Sequence, residues 1–191
     1  MPVFEILAHT PLWVWALFAF LIYRGAAAMR AREVSPYRVL IVPTIFLVWG
    51  ASGLIERPDG LAPNVAAFLG ALLVGLAAGR ALASLMPAPR LSPVTGLLAT
   101  PGSPITLILN GVAFAAKYVG NVALALTSDV AVHAELTSAV VAIGGLFAGL
   151  FWGRTLRQFQ RALKGDGRPA TFANLAALVL GRGATAPETV R

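Results

Sequence analysis

Five apolar stretches, each close to twenty residues long, leave this chain few ways to fold. They cover about residues 4–24, 36–55, 61–82, 104–126 and 133–153. A helix needs about 20 predominantly apolar residues to cross the hydrocarbon of a bilayer. The stretches are continuous rather than alternating, which disfavours a membrane β-barrel. The expected fold is therefore an all-α integral membrane protein, a bundle of five transmembrane helices. Charged residues make up only 12% of the chain, against about 25% in soluble domains, and the comparison excludes an ordinary soluble class.

Prolines and turn residues divide the stretches. Pro11 either opens the first helix after a Thr10 cap or kinks a longer one. Ser35-Pro36 supplies a cap and a first helical residue for the second span, and Pro43 is expected to bend it. Arg57-Pro58-Asp59-Gly60 predicts a tight turn, making spans two and three an antiparallel hairpin.

The distribution of positive charge predicts the orientation. Thirteen of the fifteen Lys and Arg residues follow spans one, three and five, whereas Arg57 alone lies on the opposite side. Cytoplasmic segments carry the excess of Lys and Arg. The N-terminus is thus expected outside and the C-terminus in the cytoplasm of a bacterial inner membrane. This reading absorbs the net charge of +7 as a topogenic signal. Nucleic-acid binding would need a recognisable module or interleaved aromatics, and neither is present. No signal peptide is expected, since the first ten residues lack a positive n-region. The absence of cysteine excludes disulfides, thiol redox chemistry and Cys-ligated metals.

Two domains are expected, a transmembrane domain over 1–153 and a cytoplasmic segment over 154–191. In the latter, Arg154, Arg157, Arg161 and Lys164 fall on one helical side and Leu156, Phe159 and Leu163 on the other. That pattern predicts an amphipathic helix along the membrane, its basic residues on anionic lipid headgroups. Residues 172–180 are too short to span and fit an interfacial position, and 181–191 are expected to be a loose tail. Between spans three and four, Thr95-Gly96 is placed to turn a short hairpin, and Pro101-Gly102 to turn the chain into span four.

The fourth span carries the leading functional candidate. Asn110, Lys117 and Asn121 share one helical face, with Tyr118 one step round. Lys117 lies about 20 Å from Pro104 and about 13 Å from Leu126 along the axis, slightly outward of the middle. Intramembrane ionisable groups mark solute, ion or proton paths. The bland alternative is a lysine that snorkels outward or pairs with a carboxylate purely for structure. Snorkelling would run against the tilt of side chains toward the helix N-terminus, so a fixed partner is expected, with Glu5, Glu56, Asp129 and Glu135 starting from the outer side.

Two further patterns compete for a role. His9 and His133 sit at the outer ends of spans one and five, at similar depth, where two imidazoles can hold haem b or a metal ion. The bland alternative is a pair of interfacial histidines without contact. Gly75 and Gly79 in span three, and Gly145, Gly149 and Gly153 in span five, form small-xxx-small faces; Gly50 and Gly53 read the same way. Such faces pack within one subunit or join a homodimer, and they also suit a structural or assembly subunit of a larger membrane complex. No nucleophile elbow, phosphate-binding glycine loop or zinc-protease helix is present, so an enzyme is not expected.

His9-Thr10-Pro11-Leu12-Trp13-Val14, the Pro101-Gly102-Ser103 turn and the Lys117-Tyr118 pair occur in an order that resembles a family of small uncharacterised bacterial inner-membrane proteins. The resemblance covers most of residues 3–160. It implies a five-helix inner-membrane protein and supplies no catalytic residue.

Overall fold

The computed structural model describes residues 10–55, 61–92 and 95–180. The helices are α1 (Leu12–Ala27), the short α2 (Pro36–Val39), α3 (Ile41–Ile55), α4 (Leu61–Leu85), α5 (Ile105–Leu126), α6 (Val130–Gly165) and α7 (Phe172–Val179). Three short strands accompany them: β1 (Arg32–Val34), β2 (Arg90–Leu91) and β3 (Leu98–Thr100). Among the described residues, four helical segments are long and apolar enough to cross a membrane: Pro36–Leu54, α4, α5 and α6. The described part of the first stretch is an apolar helix of 16 residues.

Local sequence explains the boundaries. Pro11 is the N-cap of α1, and Thr10 turns its hydroxyl to Tyr118 instead of capping. Pro43 has no N–H to offer the carbonyl of Val39, and the helix is interrupted there, with α2 ending at Val39 and α3 beginning at Ile41. Asp129 caps α6, its carboxylate accepting from the N–H groups of Ala131 and Val132 at 2.9 and 3.1 Å. The cap places the start of α6 three residues before the expected position. At its far end, Gly167 takes φ +72°, the left-handed conformation that stops a helix, and the Arg168 N–H returns to the carbonyl of Leu163 at 2.9 Å.

Paired residues give the helix directions. Phe68, Leu72 and Leu76 of α4 present carbonyls to Gly145, Gly149 and Gly153 of α6, while Leu146 and Leu150 present theirs to Gly75 and Gly79. Both numberings rise together, so α4 and α6 are parallel. A Cβ at any of these five glycines would collide with the facing carbonyl, which fixes the close approach. Ser138 adds a hydrogen bond to the side chain of Asn64 at 2.9 Å. The glycine faces that suggested a homodimer are thus engaged within one chain. Gly50 joins them, packed against the backbone of Gly144.

The other pairs run antiparallel. Phe46 of α3 stacks on Phe151 of α6, and Gly50 meets Gly144. Gly25 of α1 packs on Leu107 of α5, and Phe18 on Phe114. α6 is the most enclosed helix, with half of its most apolar window buried, against 17–28% for the other three. Outward faces remain apolar: Leu69, Leu73 and Val74 on α4, and Ile108, Val112 and Val119 on α5. So large an apolar exterior is the surface a lipid solvent requires.

The strands correct the purely helical expectation. They form one sheet in the order β1-β3-β2, both pairings antiparallel, with Arg32 opposite Thr100 and Arg90 opposite Ala99. The β2–β3 hairpin is the one expected at Thr95-Gly96, where Gly96 takes φ +64°. The addition of β1 was not expected. Leu98 lies fully buried beneath the sheet with Phe159, Ala162, Leu163 and Leu178, a second core at the end of the bundle.

That core also corrects the amphipathic helix. Residues 154–165 continue α6 without a break, and at about 1.5 Å per residue its 36 residues outrun a hydrocarbon core of about 30 Å. Phe159 and Leu163 pack on the sheet and α7 rather than forming a lipid-facing stripe. The basic side engages α4: Arg161 Nη1 donates to the carbonyls of Ala83 and Met86 at 2.5 and 2.6 Å, and Arg157 Nε donates to Ser84 at 3.2 Å. Those carbonyls lie at the end of α4, where intrahelical donors run out and positive charge is favoured. Lys164 remains exposed.

Candidate functional site

Lys117 lies on α5 where that helix meets α3 and α6, and only 3% of it is exposed. Its Nζ sits 5.8 Å from the ring centroid of Trp49 on α3, within cation–π range. On the α6 side the lysine faces Gly144, where a side chain would intrude: a Cβ there would lie 3.2 Å from Nζ. The glycine that lets α3 approach α6 therefore also makes room for the ammonium.

The surroundings of Lys117 are aromatic. Phe114, one turn earlier, lies against Phe18, Trp49 and Tyr118 at centroid distances of 4.7, 5.9 and 6.0 Å. Trp13 meets Trp49 edge-on at 6.5 Å, and Trp15 is 6.3 Å from Tyr118. Tyr118 exchanges a hydrogen bond with Thr10 at 2.8 Å, tying α5 to the start of α1.

The remaining members of the stripe have separate tasks. Asn110 is fully buried, its Nδ2 donating to the carbonyl of Leu21 at 3.0 Å. Its Oδ1 has no hydrogen-bond partner among the described residues. Asn121 donates to the carbonyl of Lys117 itself, at 2.8 Å, on the same helix. Phe114 stands between the Asn110 and Lys117 levels. The stripe is therefore divided by an aromatic ring into an amide that joins α1 to α5 and an ammonium with its aromatic wall.

Of the carboxylates expected on the outer side, Asp129 is committed to the cap of α6 and Glu135 is exposed. Glu5 and Glu56 lie outside the described residues. So does His9, the first histidine of the haem or metal pair. His133 occupies the first turn of α6, half-buried. Among the described residues no three His, Cys, Asp or Glu side chains cluster in a way that could hold a metal ion.

Sequence reasoning missed Trp49, Gly144 and Thr10. Trp49 and Gly144 sit at the depth of Lys117 if spans two and five pack against span four, so their level was readable but their adjacency was not. Arg154 was also misplaced. It turns inward, donating from Nη2 to Thr106 at 2.6 Å, with its Nε buried and without a hydrogen-bond partner among the described residues.

The class defined by this arrangement is a helical bundle with an apolar exterior, four of its helical segments suited to crossing a membrane. The chain belongs to the family of unknown function DUF6622, whose model matches residues 2–171. That membership bears out the resemblance to an uncharacterised family. The chain is also similar to the uncharacterized protein PM0739 of Pasteurella multocida (strain Pm70), at 32% identity over 74 residues. These are 39% of this chain and 54% of that protein, so the chain spans about half the length of this relative. No solved structure matches the chain at a significant level.

Proposed function

We propose that this is a five-span protein of a bacterial inner membrane, N-terminus outside and C-terminus cytoplasmic, that binds or passes a small solute, ion or proton at Lys117. Alternating helix directions support the five spans: α1, α4 and α6 run one way, α3 and α5 the other. The concentration of Lys and Arg at one end supports the orientation.

One observation carries the functional part. An ammonium group is almost wholly enclosed near the middle of a helix long and apolar enough to cross the bilayer. Placing it there costs about 2.5–3.5 kcal/mol on insertion scales, a cost that working sites characteristically bear. The aromatic wall and the narrow gap at Gly144 favour a small occupant. Phe114 lies between the Asn110 and Lys117 levels, which favours binding over an open path along the stripe.

Trp49 makes the proposal measurable, because its ring faces the ammonium. The purified full chain in detergent is titrated with protons and with chloride, nitrate and acetate while tryptophan emission is followed. The same species are then tested for flux in proteoliposomes. At least one should produce a saturable emission change or a flux that Lys117→Met loses while retaining its helicity. Equal behaviour of the wild type and Lys117→Met in both assays would overturn the proposal.

A further inference from the structure

At the end of the bundle where α5 begins, a cavity of about 110 Å³ lies beneath the sheet. A single water needs only about 10–15 Å³ measured in this way, so the space suits something larger. Three arginines line it from three elements: Arg24 from the last turn of α1, Arg32 from β1 and Arg154 from α6. Thr100, Ser103, Thr106, Thr155 and Gln158 add neutral polar groups.

Among the described residues, no acidic side chain lines this cavity. The strand explains why, since successive side chains point to opposite faces. Arg32 and Val34 face the cavity, while Glu33 turns to the other side and accepts a hydrogen bond from Thr95 at 3.1 Å. Arg24 meets like charges in Arg32 and Arg38. Arg154 spends one nitrogen on Thr106 and keeps a buried Nε–H without a hydrogen-bond partner among the described residues. The first turn of α5, a helix of 22 residues, borders the same space through Thr106 and adds the positive end of its dipole.

We propose that this cavity binds a phosphoryl oxyanion, presented either by a lipid headgroup or by a free phosphate. Guanidinium forks match phosphate oxygens in geometry and charge. Three of them arriving from different elements suit a tetrahedral anion better than a flat carboxylate, which presents only two oxygens. The site is independent of Lys117.

The experiment uses the full chain in mild detergent and reads Tm at constant ionic strength, set with chloride. One arm adds inorganic phosphate; the other compares phosphatidylglycerol with phosphatidylcholine. A saturable rise with phosphate supports the proposal and identifies a free anion. A rise specific to phosphatidylglycerol supports it and identifies a headgroup. Arg32→Gln and Arg154→Gln should each weaken the response about tenfold or more, as expected for a lost charged hydrogen bond. Arg157→Gln, on the same helix but outside the cavity, should respond as the wild type does. Arg32 lies in a short strand, so its variant reports even if Arg154→Gln fails to fold. No saturable rise in either arm, or an undiminished response in Arg32→Gln, would overturn the proposal. Lys117→Met should retain the response, which separates this site from the one proposed above.

Discussion

Gly144 and Lys117 are fitted to each other: the lysine Nζ occupies space that a side chain at position 144 would contest, 3.2 Å from where a Cβ would stand. Gly50 presses on the same glycine from α3, its Cα 3.0 Å from that Cβ position. An added methyl would therefore meet backbone on one side and the ammonium on the other. Gly144→Ala should destabilise the bundle by about 1–3 kcal/mol, the usual cost of overpacking. Thermal unfolding in detergent checks it, and an unchanged Tm would mean that the helices separate more readily than this packing allows.

Lys117 and Trp49 should prove energetically coupled. A cation over an indole face is worth about 0.5–2 kcal/mol, depending on desolvation. A double-mutant cycle of Lys117→Met and Trp49→Leu should give a coupling in that range. Additive effects would show that the ring merely borders the ammonium.

The glycines divide into two groups with opposite expected responses. Gly149 faces the carbonyl of Leu72, and Gly149→Val should cost at least about 2 kcal/mol or prevent assembly. Gly70 has open space where its Cβ would be, so Gly70→Ala should be neutral or gain about 0.5–1 kcal/mol from helix propensity. Unfolding midpoints of the two variants decide whether close helix approach, rather than glycine content, stabilises the bundle.

Arg161 closes the end of α4 by donating to Ala83 and Met86. Arg161→Gln should cost about 1.5–3 kcal/mol, the range for hydrogen bonds to a charged group. Hydrogen exchange should rise first in the last turn of α4 while the glycine-packed middle stays protected. Uniform acceleration along the helix would contradict this local role.

Much of this architecture was legible because a bilayer demands long apolar runs, and such runs stand out in sequence. The break before Pro43 was legible for an equally local reason, the missing N–H. The hairpin at Thr95-Gly96 announced itself through turn chemistry. β1 did not, because three residues carry little periodicity and their partner lies more than sixty positions away. The inward turn of Arg154 and Arg161 was hidden too. An amphipathic pattern shows that a helix has two faces, but not whether lipid or protein covers them. At the candidate site, Lys117 stood out through its charge, whereas its surroundings depend on which helices touch, and spacing along one helix does not specify that.

The parallel pairing of α4 with α6 sets an order of events in biosynthesis. Residues 86–129, 44 in all, separate the two helices, including the whole of α5, which must turn the chain back before α6 can begin. At about 5–20 residues per second, the ribosome takes roughly 2–9 s to make that segment. Throughout that interval Gly75 and Gly79 lack the α6 carbonyls they pack against in the finished chain. The glycine seam is thus among the last contacts to close, because α4 has no α6 to close against until the chain has turned back through α5.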